Sequence, residues 1–511
     1  VAAIAAAALA AGQAQAAPIT GDNFASLNAD QTATDQELIN IASGKTLTNT
    51  NKFTILVTSG STHSIDGGAT GGNPGNGPLT LSAENVSLKI AGTGDNSGSA
   101  VLDIGKTSGA TVTLSDVDIA KGTLTLTKGS LEAKGEKGIV LGEKSKLATA
   151  DDTSSILAKK IVLKSGSLLA LGGGKVESAD INLASGSSAT ITKGSLGKSG
   201  ATISLVEGVT LTGDGANADE AKVLSNVTVS GGTLTTAAKK LTLDGSLTVE
   251  SGVFKTEASG EAKVNGVANI NGSKTFDNAG TSLFSKNVDF AAGSIKSNAG
   301  TIQINAAAGE TTTLTIAASD YAKVFDSTGK IGVSGADATS KLVLNFVGDD
   351  AIDLNTIVSG DASAGGFKDK ISKDNLNGAG FTISASNVKF AEGAKLAVGA
   401  ADLNFGSLTA GKSGAFQIAG GKVTINNAIE VTASGDTSAL TIADSGSLTL
   451  DAKGQSGSIT AKTITVNAAN NTDKALNIKG TWGTAANITV TKGVVSLNSA
   501  TLNLTGKLAA A

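Results

Sequence analysis

The sequence predicts an all-β chain: a right-handed parallel β-helix (β-solenoid) with coils of about 20–24 residues and a small N-terminal cap. Three observations predict it. Apolar triplets with a variable middle residue start at Ile139, Ile161, Ile181, Ile203 and Val227, spaced 22, 20, 22 and 24 residues apart. A second apolar stripe follows most of them, at Leu168, Ala189, Val209 and Leu234, after an interval rich in Gly, Ser, Asn or Asp. Aromatic residues are only 3% of the chain, as a narrow stack of coils requires. Period-2 alternation marks strands, the small polar intervals mark turns, and a drifting 20-to-24-residue period marks stacked coils.

Taken in order, residues 1–16, VAAIAAAALAAGQAQA, read as the apolar part of a secretory signal with Ala14-Gln15-Ala16 as its cleavage site. A retained Ala-rich helix is the alternative. Residues 17–80 read as the cap: they hold all three prolines (Pro18, Pro74, Pro78), a helical-looking stretch at 35–39 and a Gly-rich loop at 66–78. Residues 81–320 form a first solenoid block. The phrase KKIVLKSGSLLALGGGKVESADINLASGSSATIT, 159–192, gives nearly the same text twice and places Ile161, Ile181 and Ile203 in one inward stack. At 321–381 the triplets thin out, and GGFKDKISKDNL, 365–376, has helical spacing at Phe367, Ile371 and Leu376. This is an insertion, a kink or a junction. Residues 382–511 resume as a second block. Stacking at about 4.8 Å per coil predicts roughly 20 coils and a rod on the order of 95 Å.

Composition narrows the function. All 40 basic residues are Lys, the net charge is −4, and there is no Cys. Without the Arg fork that grips phosphate, nucleic acid is not an expected partner. Without Cys, thiol catalysis and Cys-type zinc sites are excluded. The single His, His63, sits in SGSTHSIDGG, which reads as a surface turn rather than as the base of a nucleophilic triad. The acidic pairs Asp151-Asp152 and Asp349-Asp350 lie in loops, where charge is solvated, so a carboxylate-pair hydrolase is disfavoured. GDDAIDL, 348–354, makes Asp349, Asp350 and Asp353 the calcium candidates, with GDGANADE, 213–220, a second acidic turn. Neither recurs at nine residues, and Ca²⁺ needs six to eight oxygens, so ordinary turns are the stronger reading. The Gly-rich stretches 91–98 and 171–175 lack the Lys-Ser/Thr ending of a phosphate loop. Asn226-Val227-Thr228 and Asn503-Leu504-Thr505 match glycosylation sequons but fall on strand phrases. No catalytic residue and no cofactor are expected.

The 20–24 spacing, phrases such as GTLTLTKGSL (122–131), the Gly/Ser/Asn turns and the lack of Arg and Cys together resemble secreted bacterial β-solenoids. These are filamentous-haemagglutinin-like adhesins, autotransporter passengers and autotransporter-type surface-layer proteins. The resemblance spans residues 80–511 and is one of style, without a signature motif. It implies a non-enzymatic, secreted protein of the cell exterior that assembles with itself into a surface layer, sheath or filament. Head-to-tail docking through the strand-like ATLNLTGKLAAA, 500–511, is the expected mode. An adhesin rod binding a host surface, a polysaccharide, the outer membrane or neighbouring cells is the alternative, and a polysaccharide-degrading β-helix enzyme the second.

Overall fold

Alternation translates directly into packing: Leu79–Ala83 reads LTLSA, and its burial alternates residue by residue, with Leu79, Leu81 and Ala83 inward. In the computed structural model such strands stack in parallel into about 15 turns of β-solenoid. The structure describes residues 40–510 other than 43–45, 49, 51, 58–61, 69–78, 93–99, 107–108, 218–219, 326–327, 349, 351, 354–370, 376–379, 391–394, 411–414, 432–438, 445, 473 and 485. Two units are distinguished, Val1–Lys263 and Val264–Ala511.

As far as Leu183, each coil of the first unit contributes one strand to each of three faces. One face stacks Phe53–Val57, Val86–Ala91, Val117–Lys121, Ile139–Leu141, Lys160–Leu163 and Asp180–Leu183. Its inward column runs Leu88, Val117, Ile139, Ile161, Ile181 in unbroken register, all buried. The second face carries a matching column of Leu102, Leu124, Leu147, Leu169, Ala189 and Leu211. Each such leucine contributes about 1.5–3 kcal/mol of burial. The repeated Lys-Ser-Gly-Ser and Ala-Ser-Gly-Ser phrases are the corner between these faces. Gly166 and Gly186 take positive φ (71° and 81°). Ser167 and Ser187 turn inward and donate to the carbonyls of Lys164 and Ala184 at 2.6 and 2.7 Å. Ile161 and Ile181 therefore stack as the sequence predicts. Ile203 is buried too, but its strand, Thr202–Val206, pairs forward with Asn226–Thr235. Thr210–Gly213 pairs with the same long strand, so one continuous strand, bulged at Ser230-Gly231, replaces the corner between two faces.

The second unit uses longer strands, among them Gly380–Phe390, Lys395–Ala410, Ala415–Val431, Ser447–Thr460, Lys474–Thr484 and Val494–Leu504. Its interior admits large residues. Phe276, Phe284 and Phe290 meet edge-on, and Tyr321, Phe325 and Phe346 form a second cluster. Trp482 is fully buried, and its register partner in the next rung is Gly457, where a Cβ would lie 2.6 Å from the indole ring. The indole N–H is satisfied by the Lys479 carbonyl at 3.1 Å. At a turn, Asn278 donates to Asn298 across adjacent rungs (2.7 Å), and Asn298 in turn donates to the Val324 carbonyl (2.8 Å).

Three expectations are corrected. Residues 17–80 do not form a separate cap throughout. Asn40–Ala42, Thr46–Thr48 and Phe53–Val57 are already rungs, paired with Thr62–Gly68, Leu79–Ala83 and Val86–Ala91. Residues 1–39, with the leader and the helical-looking 35–39, lie outside the described residues. Of the 321–381 region, expected as an insertion, a kink or a junction, residues 354–370 and 376–379 lie outside the described residues. A short helix, Tyr321–Val324, is followed by regular rungs at Lys330–Gly335 and Lys341–Val347. Ile371, expected on a helix, lies in the strand Ile371–Asn375, paired with Lys330–Gly335; Phe367 and Leu376 lie outside the described residues. Coil length is not 20–24 residues throughout: Thr311 pairs with Lys341, and Lys341 with Gly380, 30 and 39 residues on.

Candidate functional site

His63 is not on a surface turn. It occupies the strand Thr62–Gly68, pairs in register with Leu102 and is 4% exposed. The flanking Ser and Gly suggest a turn, yet His63 and Ile65 take the inward positions of the strand and Ser64 the outward one. Ser64 is the register partner of Asp103, whose carboxylate accepts from the Thr127 hydroxyl at 2.6 Å. Burial pushes the Asp103 carboxyl up, against the Thr127 hydrogen bond and the nearby Lys106 ammonium.

The pair Asp151-Asp152 resolves into turn chemistry. Asp151 accepts from the backbone N–H and hydroxyl of Thr153 at 2.8 and 2.7 Å, bonds that hold its carboxyl below the usual range. Asp152 pairs with Lys193 instead. Asp337 repeats the Asp151 arrangement with Thr339, again at 2.8 and 2.6 Å and again with a lowered pKa. Following each, Ser154 and Ser340 turn inward and donate to carbonyls of the preceding coil, Leu126 and Ala307. In these Asp-x-Thr-Ser corners the carboxylate is taken up by the turn's own N–H and hydroxyl donors. Of the calcium candidates, Asp349 lies outside the described residues. Asp350 is exposed, and Asp353 lies in a two-residue strand opposite Lys389. In 213–220, Asp214 pairs with Lys239 and Glu220 accepts from Asn217. Among the described residues no three His, Cys, Asp or Glu side chains gather as metal ligands would.

The second unit holds a feature of a different kind. Register places Thr315, Asn345, Ser384, Asn404, Thr424, Thr449, Asn477 and Ser496 one above another in eight consecutive rungs. All eight are half-buried outward positions flanked by inward apolar residues in most rungs, and none is charged. At the strand spacing of about 4.8 Å they extend about 34 Å. Against this column lies a cleft of about 300 Å³, lined by Asn345, Ser384, Asn404, Asn426 and Lys453 among others. Asn426 donates through Nδ2 to Asn404 Oδ1 (2.9 Å) and to the Phe405 carbonyl (3.3 Å). The second bond fixes the amide orientation, because a carbonyl can only accept. Asn426 Oδ1 is then a buried acceptor without a hydrogen-bond partner.

Sequence reasoning missed this column, although its signal is visible: the residues are the middles of LTI, LNF, ISA, LNF, VTI, LTL, LNI and VSL. No protein-family model, no curated protein and no solved structure matches the chain.

Proposed function

We infer that the chain is a non-enzymatic structural protein of the bacterial cell exterior that assembles with copies of itself into a surface layer, sheath or filament. The observation that carries this reading is the rung-on-rung register itself. Rungs of very different side chains, such as Leu168–Leu171 and Ser188–Ile191, pair equally well because the main chain does the pairing. A rung of matching pitch from another copy meets the same N–H and C=O ladder. The outward faces support it by being mostly small hydroxyls, amides and Lys–carboxylate pairs, as at Lys134–Glu84, Lys160–Asp180 and Lys240–Glu261. Exposed pairs of this kind add little stability but keep the stacked coils soluble until they dock. Electron microscopy of producing cells with an antibody to the chain is the test. Gold label on a regular lattice or fibre outside the cell supports the reading, and label confined to the cell interior defeats it.

A second reading, an adhesin rod, is favoured by one observation: the uncharged column of the second unit and the cleft beside it. Uniform scaffolding does not require eight successive rungs to avoid charge.

A further inference from the structure

We propose that the column from Thr315 to Ser496 is a binding strip for a neutral polysaccharide laid along the stacking direction, seated at the Asn345–Ser384–Asn404–Asn426 cleft. The proposal rests on the adhesin reading and names its site and its ligand class. Four observations carry it.

The first is composition. Hydroxyl and amide side chains each donate and accept. A row of them suits a polymer whose own hydroxyls do the same, and offers nothing to a polyanion or polycation. The second is spacing. One such group stands in every rung, about 4.8 Å apart, close to the length of one sugar unit in an extended chain. The third is depth. All eight side chains are half-buried, so their rotamers are already restricted and less entropy is lost on binding. The fourth is the unpartnered Asn426 Oδ1. A hydroxyl entering the cleft supplies the donor that the folded chain does not. Lys453 lines the same cleft and can donate to a ring or hydroxyl oxygen. The sparse aromatics argue against stacking as the main contact, so affinity comes from many weak hydrogen bonds along the strip.

The test is affinity electrophoresis of the full chain in gels containing dextran, laminarin, xylan or galactomannan, with polygalacturonate as the anionic control. The expected result is retardation by at least one neutral polymer, insensitive to added salt. Ser384→Lys and Asn404→Ala should each weaken it at least tenfold with an unchanged circular dichroism spectrum. Thr111→Lys, on an outward position of the first unit, should leave it intact. Retention that survives both strip variants, or that polygalacturonate alone produces, overturns the strip while leaving an adhesin standing. Migration unaffected by all five polymers overturns the strip, while an adhesin for a host surface or neighbouring cells is left standing. Loss of self-association rather than of retardation in Ser384→Lys assigns the strip to a second copy of the chain and also overturns the proposal.

Discussion

The two units differ in what they place outside a similar interior. In the first, the outward column on one face runs Thr80, Thr111, Ser130, Ser155 and then changes to Lys175, Ser195 and Lys222. Beside it, Glu132, Leu157 and Glu177 share a second column. From Ser155 onward hydroxyl and charge alternate, and Glu177 pairs with Lys175 at 3.7 Å. In the second unit, eight rungs pass without a charge in the column from Thr315 to Ser496. The inward residues are mostly apolar and stacked in both units, and buried polar ones such as Ser187 and Asn298 are hydrogen-bonded at turns. The outward residues are under no such constraint. The first unit also has an uncharged run, Thr125, Ala148, Ala170, Thr190, Thr212 and Thr235, but two of its six rungs carry alanine, whereas all eight of the second unit's carry a hydroxyl or amide, a property of the surface that folding does not demand.

The interior should respond to the same insult in both units. Trp482→Ala removes the largest buried side chain of the second unit and is expected to cost about 3–5 kcal/mol; Leu147→Ala in the first should cost about 2–5 kcal/mol. Denaturation midpoints by circular dichroism check both. Because rungs interact with their neighbours first, hydrogen exchange in Leu147→Ala should quicken most in the strands of Leu124 and Leu169. A uniform quickening along the chain would break the nearest-neighbour account.

A smaller effect separates the units by their turns. Asn298→Ala deletes the acceptor for Asn278 and the donor to Val324. It leaves buried polar groups unpaired, at about 1–3 kcal/mol. Asn298→Ser, which restores one partner, should recover part of that in thermal melts. The first unit turns its Ser-Gly-Ser corners with serines that serve their own turn's carbonyl, so Ser187→Ala should cost less than Asn298→Ala.

The smallest effect is common to both units. The Thr153 and Thr339 bonds lower the folded pKa of Asp151 and Asp337. A depressed carboxylate contributes stability above its unfolded pKa and loses it as the pH falls through the folded value. The deficits of Thr153→Val and Thr339→Val should therefore be full at neutral pH and shrink in acid. Asp103 has the opposite sign: its raised carboxyl costs stability as the pH rises through its folded value, so Asp103→Asn should be neutral or slightly stabilising at pH 7.

The fold was legible because its signal is local. Ile139, Ile161 and Ile181 stand one coil apart in both the text and the structure, and the Ser-Gly-Ser corners repeat with them. The column of the second unit was not, because reading it requires register, and register requires constant coil length. Asn345 and Ser384 are adjacent rungs separated by a long excursion, while Ser384 and Asn404 are separated by a short one. Counting at a fixed period loses the column between them. His63 was misread for a related reason: Ser, Thr and Gly around it are as common on the outward side of these strands as in turns.

The measurement that bears most directly on the difference between the units is hydrogen exchange of the full chain with and without the neutral polymer that retards it most. Slower exchange should appear in the strands that carry Asn345, Ser384, Asn404 and Thr424, with no change at Lys175, Ser195 and Lys222. Protection in the first unit, or protection spread evenly over both, would contradict the assignment of binding to the uncharged column.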